Sequence, residues 1–75
     1  MKNDTALRTN IRKNLIDLRI KHEMSQLDIA KITGKTRTAV ASWEQGLSLP
    51  DLETLFLLSK YYHCTMDYFF ENEEV

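Results

Sequence analysis

The stretch from Gln26 to Trp43, QLDIAKITGKTRTAVASW, constrains the fold most, because it predicts two short helices joined by a tight turn. Ser25 has the side-chain oxygen that an N-cap requires, and apolar residues follow it at helical spacing. Gly34 can adopt the left-handed conformation that ends a helix, and Thr36 can cap the next one two residues later. The turn between the two helices is therefore very short.

The second of these helices has two faces of different character. We expect the first helix to span Gln26–Thr33 and the second to span Arg37–Gln45. Helical spacing puts apolar residues on one face of the second helix and small or polar residues on the other. The apolar residues are Ala39, Val40 and Trp43, and the other face carries Arg37, Thr38, Ala41, Ser42 and Gln45. A face with hydrogen-bonding groups and little bulk can enter the major groove of DNA.

The residues around this turn resemble those of the Cro and phage-repressor (XRE) family of helix-turn-helix proteins. The resemblance covers about 15–70 and rests on Gln26, Ala30, Gly34, Val40, Trp43, Glu44, Gly46 and Pro50. Thr33 and Lys35 depart from it, since they flank Gly34 where the family often has apolar residues. We therefore expect either a turn that is less tightly buried or a separate role for Lys35, such as reaching a phosphate. A solvated surface lysine is the alternative.

The resemblance implies roles for three groups of residues. Base contacts in the major groove are implied for Arg37, Thr38 and Ser42, where Arg37 can bind guanine with two hydrogen bonds. Contacts to the sugar-phosphate backbone are implied for Gln26, with Lys35 and Gln45 as weaker candidates. An ion pair between the first helix and the end of the third is implied for Arg19 and Glu44. The alternative for the polar residues is a merely solvated surface.

The whole chain predicts an all-α, five-helix bundle of the lambda-repressor-like DNA-binding type, with the helix-turn-helix at its centre. We expect the first helix to begin between Thr5 and Asn10 and to end near His22. A fourth helix follows Asp51, with Leu52, Leu55, Leu58, Ser59 and Tyr62 on one face, and Thr65 caps a last short helix over Met66–Phe70. Residues 5–70 then form a single domain, and 71–75 form an acidic tail.

Charge is distributed unevenly along the chain, although the formal net charge is only −1. Up to Arg37 there are nine Lys or Arg residues and four Asp or Glu residues, whereas beyond it there are one and seven. The phosphate backbone of DNA responds to a local basic surface rather than to the total charge. The near-neutral total therefore does not argue against binding to double-stranded DNA.

Several other kinds of protein and site are not predicted. Cys64 is the only cysteine and there are two histidines, so we expect no disulfide, metal or cofactor. There is no nucleophile with a base in register and no glycine-rich phosphate loop, so we expect neither an enzyme nor a small-molecule ligand. The absence of a long apolar segment or signal sequence predicts a cytoplasmic protein without membrane contact. Trp43 is expected in the core.

Leu57 and Tyr61 lie one helical turn apart on the side of the fourth helix away from its predicted core face. Exposed apolar clusters are often interfaces, and the resembling family usually binds DNA as a homodimer. We therefore expect Leu57, Tyr61 and Phe70 to form a two-fold contact; cover by the N-terminal arm is the alternative. The predicted function is a transcriptional regulator, with repression of an inverted-repeat operator favoured. The alternative is a module that acts through a protein partner, such as an antitoxin or an anti-regulator.

Overall fold

The computed structural model describes residues 2–71, with side chains from 6 to 71, and all regular elements in this range are helices. The elements are α1 (Lys2–Lys21), α2 (Gln26–Thr33), α3 (Arg37–Gln45), α4 (Leu52–Tyr62) and a terminal 3-10 helix (Met66–Phe70). The prediction of an all-helical fold is confirmed, but its fifth helix is a 3-10 helix, so the described residues contain four α-helices. Apart from Glu71, the predicted acidic tail lies outside the described residues.

α1 is longer than the sequence predicts, because it begins at Lys2 rather than between Thr5 and Asn10. Its first turns contain neither glycine nor proline, so no residue in them stops the helix. At its other end Glu23 adopts a left-handed conformation, with φ of 57°. The amide of Met24 then donates to the Arg19 carbonyl at 3.0 Å, which closes a Schellman-type end.

α2 and α3 begin and end where their capping residues predict. The Ser25 hydroxyl accepts from the Asp28 amide at 3.0 Å, and the Asp28 carboxylate accepts from the Ser25 amide at 2.9 Å. This reciprocal capping box satisfies two free amides at the start of α2. Gly34 then takes the left-handed conformation, with φ of 73°, and the Thr36 hydroxyl accepts from the Ala39 amide to start α3.

The turn at Gly34 is not loosely packed, contrary to one of the two expectations for Thr33 and Lys35. Thr33 is buried, and its hydroxyl donates to the Ile29 carbonyl at 2.8 Å. A threonine whose hydroxyl bonds back to its own helix can stand in an apolar position, because no polar atom is left unpaired. Lys35, in contrast, is exposed.

The core lies between α1 and the other helices and includes Trp43, as predicted. Its buried apolar residues are Ile11, Leu15, Leu18, Ile29, Ala30, Val40, Trp43, Leu55, Leu58, Tyr62 and Phe69. Cys64 is only partly buried at its edge. Asn14 is a buried polar residue in α1 whose side-chain amide donates to the carbonyls of Tyr68, Phe69 and Glu71 at 3.0, 3.0 and 2.8 Å. Asn14 thus fastens the 3-10 helix to α1.

α4 buries most of the face that the sequence predicts, because Leu55, Leu58, Ser59 and Tyr62 are all buried. Leu52 is 71% exposed, so its predicted place on the core face is wrong, whereas Thr54 is buried. The buried residues are Thr54, Leu55, Leu58, Ser59 and Tyr62, and the exposed ones are Leu52, Glu53, Phe56, Leu57, Lys60 and Tyr61. The second set defines the α4 outer face. In the described part of the chain, no helix combines the length and the apolar character that crossing a membrane requires.

Candidate nucleic-acid interface

The outward side of α3 carries a row of polar side chains at helical spacing. Arg37, Thr38 and Gln45 are exposed, and Ala41 and Ser42 between them are partly buried. We call this row the α3 polar face. Because Ala41 is small, nothing bulky stands between the two ends of the row, and a flat partner can approach closely.

Arg37 is held at the first turn of α3 by Gln26 at the first turn of α2. Arg37 Nη1 donates to Gln26 Oε1 at 3.1 Å, and Gln26 Nε2 donates to Glu44 Oε1 at 3.0 Å. A guanidinium can only donate and a carboxylate can only accept, so these two partners fix the orientation of the Gln26 amide. Gln26 therefore links the start of α3 to its end.

Glu44 is in turn bound to α1 through Arg19. Arg19 Nε lies 2.7 Å from Glu44 Oε2, and Arg19 Nη2 lies 3.1 Å from Glu44 Oε1. The remaining nitrogen, Nη1, donates to the Met24 carbonyl at 2.9 Å. The two side chains are only 19% and 8% exposed, and this bidentate hydrogen bonding to Glu44 raises the pKa of Arg19. The four side chains Arg19, Glu44, Gln26 and Arg37 form one hydrogen-bonded series, which we call the polar chain.

Ser42 is engaged in a contact that the sequence analysis missed. Its hydroxyl lies 2.7 Å from that of Ser48, in the loop that follows α3. Either oxygen can donate. The serine that donates retains two lone pairs, and the serine that accepts retains its proton and one lone pair for another partner. The sequence alone does not indicate Ser48, because the position of Ser48 depends on the left-handed conformation of Gly46, which ends α3.

Lys35 lies near the start of α3 but faces a carboxylate. Its ammonium is 3.3 Å from Asp51 Oδ2, and both side chains are exposed. Asp51 also caps α4, because its Oδ1 accepts from the Thr54 amide at 2.8 Å. Hydrogen bonds from Thr54, with a smaller effect of Lys35, lower the pKa of Asp51 to about 2. Lys35 is thus a surface cation with an existing partner rather than a free one.

Gln45, at the far end of the α3 polar face, borders a cleft of about 300 Å³ between α3 and α1. Its lining residues are Arg8, Thr9, Arg12, Gln45 and Gly46. We call it the α1–α3 cleft. Arg8 and Arg12 were not singled out as functional residues from the sequence, and the only signal for them was the excess of positive charge in this half of the chain.

The α4 outer face is exposed and largely apolar. Leu57 and Tyr61 are 44% and 49% exposed, and Leu52 and Phe56 are more exposed still. With Ile32, Thr33 and Lys60, Leu57 and Tyr61 line a groove of about 310 Å³. Phe70 is partly buried, and its carbonyl accepts from the Asn10 amide at 3.1 Å.

Among the described residues, no three His, Cys, Asp or Glu side chains lie close enough together to hold a metal ion. Burial raises the pKa of the Cys64 thiol, which disfavours the reactive thiolate. The ring of His22 packs on Tyr62 with centroids 4.6 Å apart. These groups have structural partners, and none of them lines the α3 polar face.

Comparison with known proteins identifies the two-helix motif. A family model described as helix-turn-helix matches residues 15–69. The chain is 32% identical over 63 residues to the HTH-type transcriptional activator BcrR of Enterococcus faecalis. This match covers 84% of the chain but only 31% of BcrR, so the chain spans about a third of that relative's length. In fold it is similar to the solution structure of the SOS-response transcriptional repressor LexA from Eubacterium rectale. That match has a TM-score of 0.84 and 23% identity, and covers 92% of this chain and 73% of the other.

Proposed function

Because the chain belongs to the XRE-type helix-turn-helix family of DNA-binding transcriptional regulators, we propose that it binds a specific duplex sequence through the α3 polar face. The observation that most supports this proposal is the polar chain. It holds the Arg37 guanidinium at the exposed start of α3 before any partner arrives, which reduces the loss of side-chain freedom on binding. Arg37 can then donate two hydrogen bonds to the O6 and N7 atoms of guanine.

Two neighbouring residues extend the base contacts that we assign to Arg37. Thr38 is exposed and offers a hydroxyl and a methyl group, which suits contact with thymine. The Ser42 hydroxyl can form further hydrogen bonds to a base in addition to its contact with Ser48. We propose that Gln26, Lys35 and Gln45 contact the sugar-phosphate backbone. Lys35 must first break its ion pair with Asp51.

We assign the α4 outer face to a homodimer contact. An isologous contact requires a surface that is complementary to itself under a two-fold rotation. On α4, Glu53 lies two turns before Lys60, with Phe56 and Leu57 between them. When two copies of this helix pack antiparallel, each Glu53 faces Lys60 of the other copy and the apolar pair lies at the axis. Opposite charges then meet at both ends of the contact.

The apolar groove beside Leu57 and Tyr61 can take a side chain of the second copy, which supports the same contact. The Phe70 side chain is partly buried against the core. Its place at the rim of this two-fold contact therefore remains a prediction. In such a dimer two α3 helices about 34 Å apart enter successive major grooves, and the operator is an inverted repeat. We propose repression by occlusion of a promoter. An operator upstream of the promoter would instead fit activation, the activity named for BcrR.

The test of this function is selection of binding sites from a random duplex pool, followed by titration of the enriched sequence. We expect an enriched inverted repeat, and we expect Arg37→Ala to reduce its preference over random duplex by roughly tenfold or more per half-site. Lys13→Ala is the matched control, since it also removes one cation but from an exposed pair with Asp17 at 2.9 Å. A folded protein that enriches no sequence would contradict the proposal and would favour action through a protein partner.

A further inference from the structure

We propose that the α1–α3 cleft binds one phosphate of the DNA backbone through Arg8 and Arg12, assisted by Thr9 and Gln45. This inference rests on the proposed function. It adds a contact to the DNA backbone that the proposed function does not include. Arg8, Thr9 and Arg12 precede residues 15–69, the part that the family model matches. The arginines of the proposed site therefore lie on the first half of α1, outside the part of the chain that the family model matches.

The lining of the cleft has the chemistry of an anion site. Two guanidinium groups, a threonine hydroxyl and a side-chain amide supply hydrogen-bond donors, and no carboxylate is found among the described residues that line the cleft. Arg8 and Arg12 are four residues apart on one helix, so their side chains lie on the same side of α1. Two arginines that converge on one space favour phosphate, which accepts hydrogen bonds from guanidinium groups in pairs.

Four other cations in the described part of the chain already have hydrogen-bond acceptors. Lys13 contacts Asp17, Arg19 contacts Glu44, Lys35 contacts Asp51 and Arg37 contacts Gln26. Within the described residues, no hydrogen bond or ion pair engages the guanidinium of Arg8 or Arg12. Their charge is therefore free to meet an external anion.

The end of α3 leaves room for Arg12 because residue 46 is glycine. A Cβ atom on Gly46 would lie 3.3 Å from Arg12 Cδ, tighter than ordinary van der Waals contact. The stem of Arg12 thus lies across the end of α3, and the side chain is partly buried there. This contact restricts the conformations of the Arg12 side chain and keeps its guanidinium near Gln45.

The position of the cleft fits one strand of a duplex that α3 enters. Gln45 belongs to the α3 polar face and lies eight residues after Arg37, which corresponds to about 12 Å along a helix. Arg37 and the α1–α3 cleft therefore lie at opposite ends of the α3 polar face. A duplex that contacts the whole face also reaches the cleft with its phosphate backbone.

A structural role is the competing explanation for Arg12. A cation beside the end of α3 interacts favourably with the helix dipole, which would stabilise the fold without any contact to DNA. The two roles differ in what they predict, because a structural role changes the melting temperature, whereas a phosphate contact changes the salt dependence of DNA binding.

The experiment measures binding of the full chain to a random-sequence duplex by fluorescence anisotropy, between about 50 and 200 mM KCl. The variants are Arg8→Gln and Arg12→Gln, with Lys13→Gln as the control of equal charge change. Loss of one phosphate contact should reduce the slope of log K against log salt by about 0.9 for each bound copy. We expect this reduction for both arginine variants and not for the control. We also expect each arginine variant to lose as much affinity for the selected operator as for the random duplex. Arg12→Lys should retain most of the slope. If Arg12→Gln does not fold, the slope of Arg8→Gln decides the test.

The proposal is overturned if both arginine variants follow Lys13→Gln, or if Arg12→Gln lowers the melting temperature but leaves the slope unchanged. That outcome leaves the proposed function intact, provided that the wild type binds duplex in a salt-dependent way and Arg37→Ala loses sequence preference. A wild-type protein without salt-dependent binding would overturn both proposals together.

Discussion

The α3 polar face and the α4 outer face are both exposed, but they differ in how their side chains are held. At the start of α3, Arg37 is connected to the interior by the polar chain, which ends at the partly buried pair of Arg19 and Glu44. On α4, the contacts behind the exposed side chains are made by rings: Tyr61 packs edge-on against the buried Tyr62 with centroids 5.6 Å apart, and Lys60 lies 5.2 Å from the centroid of the Phe56 ring. The first surface is positioned before binding, whereas the second surface is apolar area that water still covers.

This difference explains why the two faces suit different partners. DNA requires donors at fixed positions, since the pattern of base edges in the major groove is a pattern of hydrogen-bonding groups. A protein contact gains chiefly from the removal of apolar area from water, and this gain does not require donors at fixed positions. Exposure alone therefore does not distinguish the two interfaces, but the bonding behind the exposed side chains does.

The largest expected effect comes from breaking the polar chain at its buried end. Arg19→Met leaves the 8% exposed Glu44 carboxylate without its cation, which should cost about 3 kcal/mol of the free energy of unfolding. For a domain of this size we expect the melting temperature to fall by roughly 10 °C or more. Thermal unfolding followed by circular dichroism measures it.

Lys13→Met is the control for this variant, because it breaks a pair whose two side chains are each 52% exposed. We expect a loss of no more than about 0.5 kcal/mol from that pair. A change of only a degree or so in Arg19→Met would show that the polar chain does not hold α3 to α1.

The next effect concerns association through the α4 outer face. Leu57→Glu with Tyr61→Glu puts two charges into the proposed centre of the dimer, so we expect the dimer to dissociate at concentrations where the wild type is dimeric. The loss should be about 2 kcal/mol or more for each residue that lies at the centre of the contact. Sedimentation velocity measures it, and unchanged dimerisation would remove this face from the interface.

A charge exchange on the same face tests the antiparallel arrangement. Glu53→Lys alone and Lys60→Glu alone should each weaken the dimer, because like charges then face each other across the axis. The double variant should restore most of the wild-type affinity, since the pair is re-formed with its signs reversed. A double variant as weak as the two single ones would contradict the antiparallel arrangement while leaving other two-fold contacts open.

The smallest effect concerns Asp51, whose pKa is lowered to about 2 from an ordinary value of 3.8. A depressed pKa means that the stabilisation is present above the ordinary value and is lost as pH falls toward 2. Asp51→Asn should therefore flatten the dependence of melting temperature on pH between about 4 and 2, and change little at neutral pH, because asparagine also caps helices.

Lys35→Gln separates the two causes of the lowered Asp51 pKa. The hydrogen bonds from Thr54 remain in that variant and are the larger cause, so most of the acid dependence should remain. Complete loss of the acid dependence in Lys35→Gln would assign the pKa of Asp51 to the ion pair instead.

The helix-turn-helix was predictable because its limits are encoded locally. Ser25, Gly34, Thr36 and Gly46 act on residues within one turn of themselves, so their effects can be read along the sequence. The charge excess in the first half of the chain likewise indicated a basic surface.

Other features depend on contacts that sequence spacing does not contain. Leu52 and Leu55 are both compatible with one helical face, and only the packing of α4 determines that Leu52 is exposed. Asn14 was missed because its three acceptors lie 54 to 57 residues away. The path of the backbone at Gly46 sets the positions of Ser48 and Arg12. Helical periodicity in the sequence does not predict that path.

The most direct test of the central claim is the change in backbone amide chemical shifts of the ¹⁵N-labelled protein when the selected duplex is added. We predict the largest changes at Arg37, Thr38, Ser42 and Gln45, and small changes on the α4 outer face, because we assign that face to the second copy of the chain. Unchanged α3 amides, with the largest shifts at Leu57 and Tyr61, would contradict the assignment of DNA to α3 and of the second copy to α4.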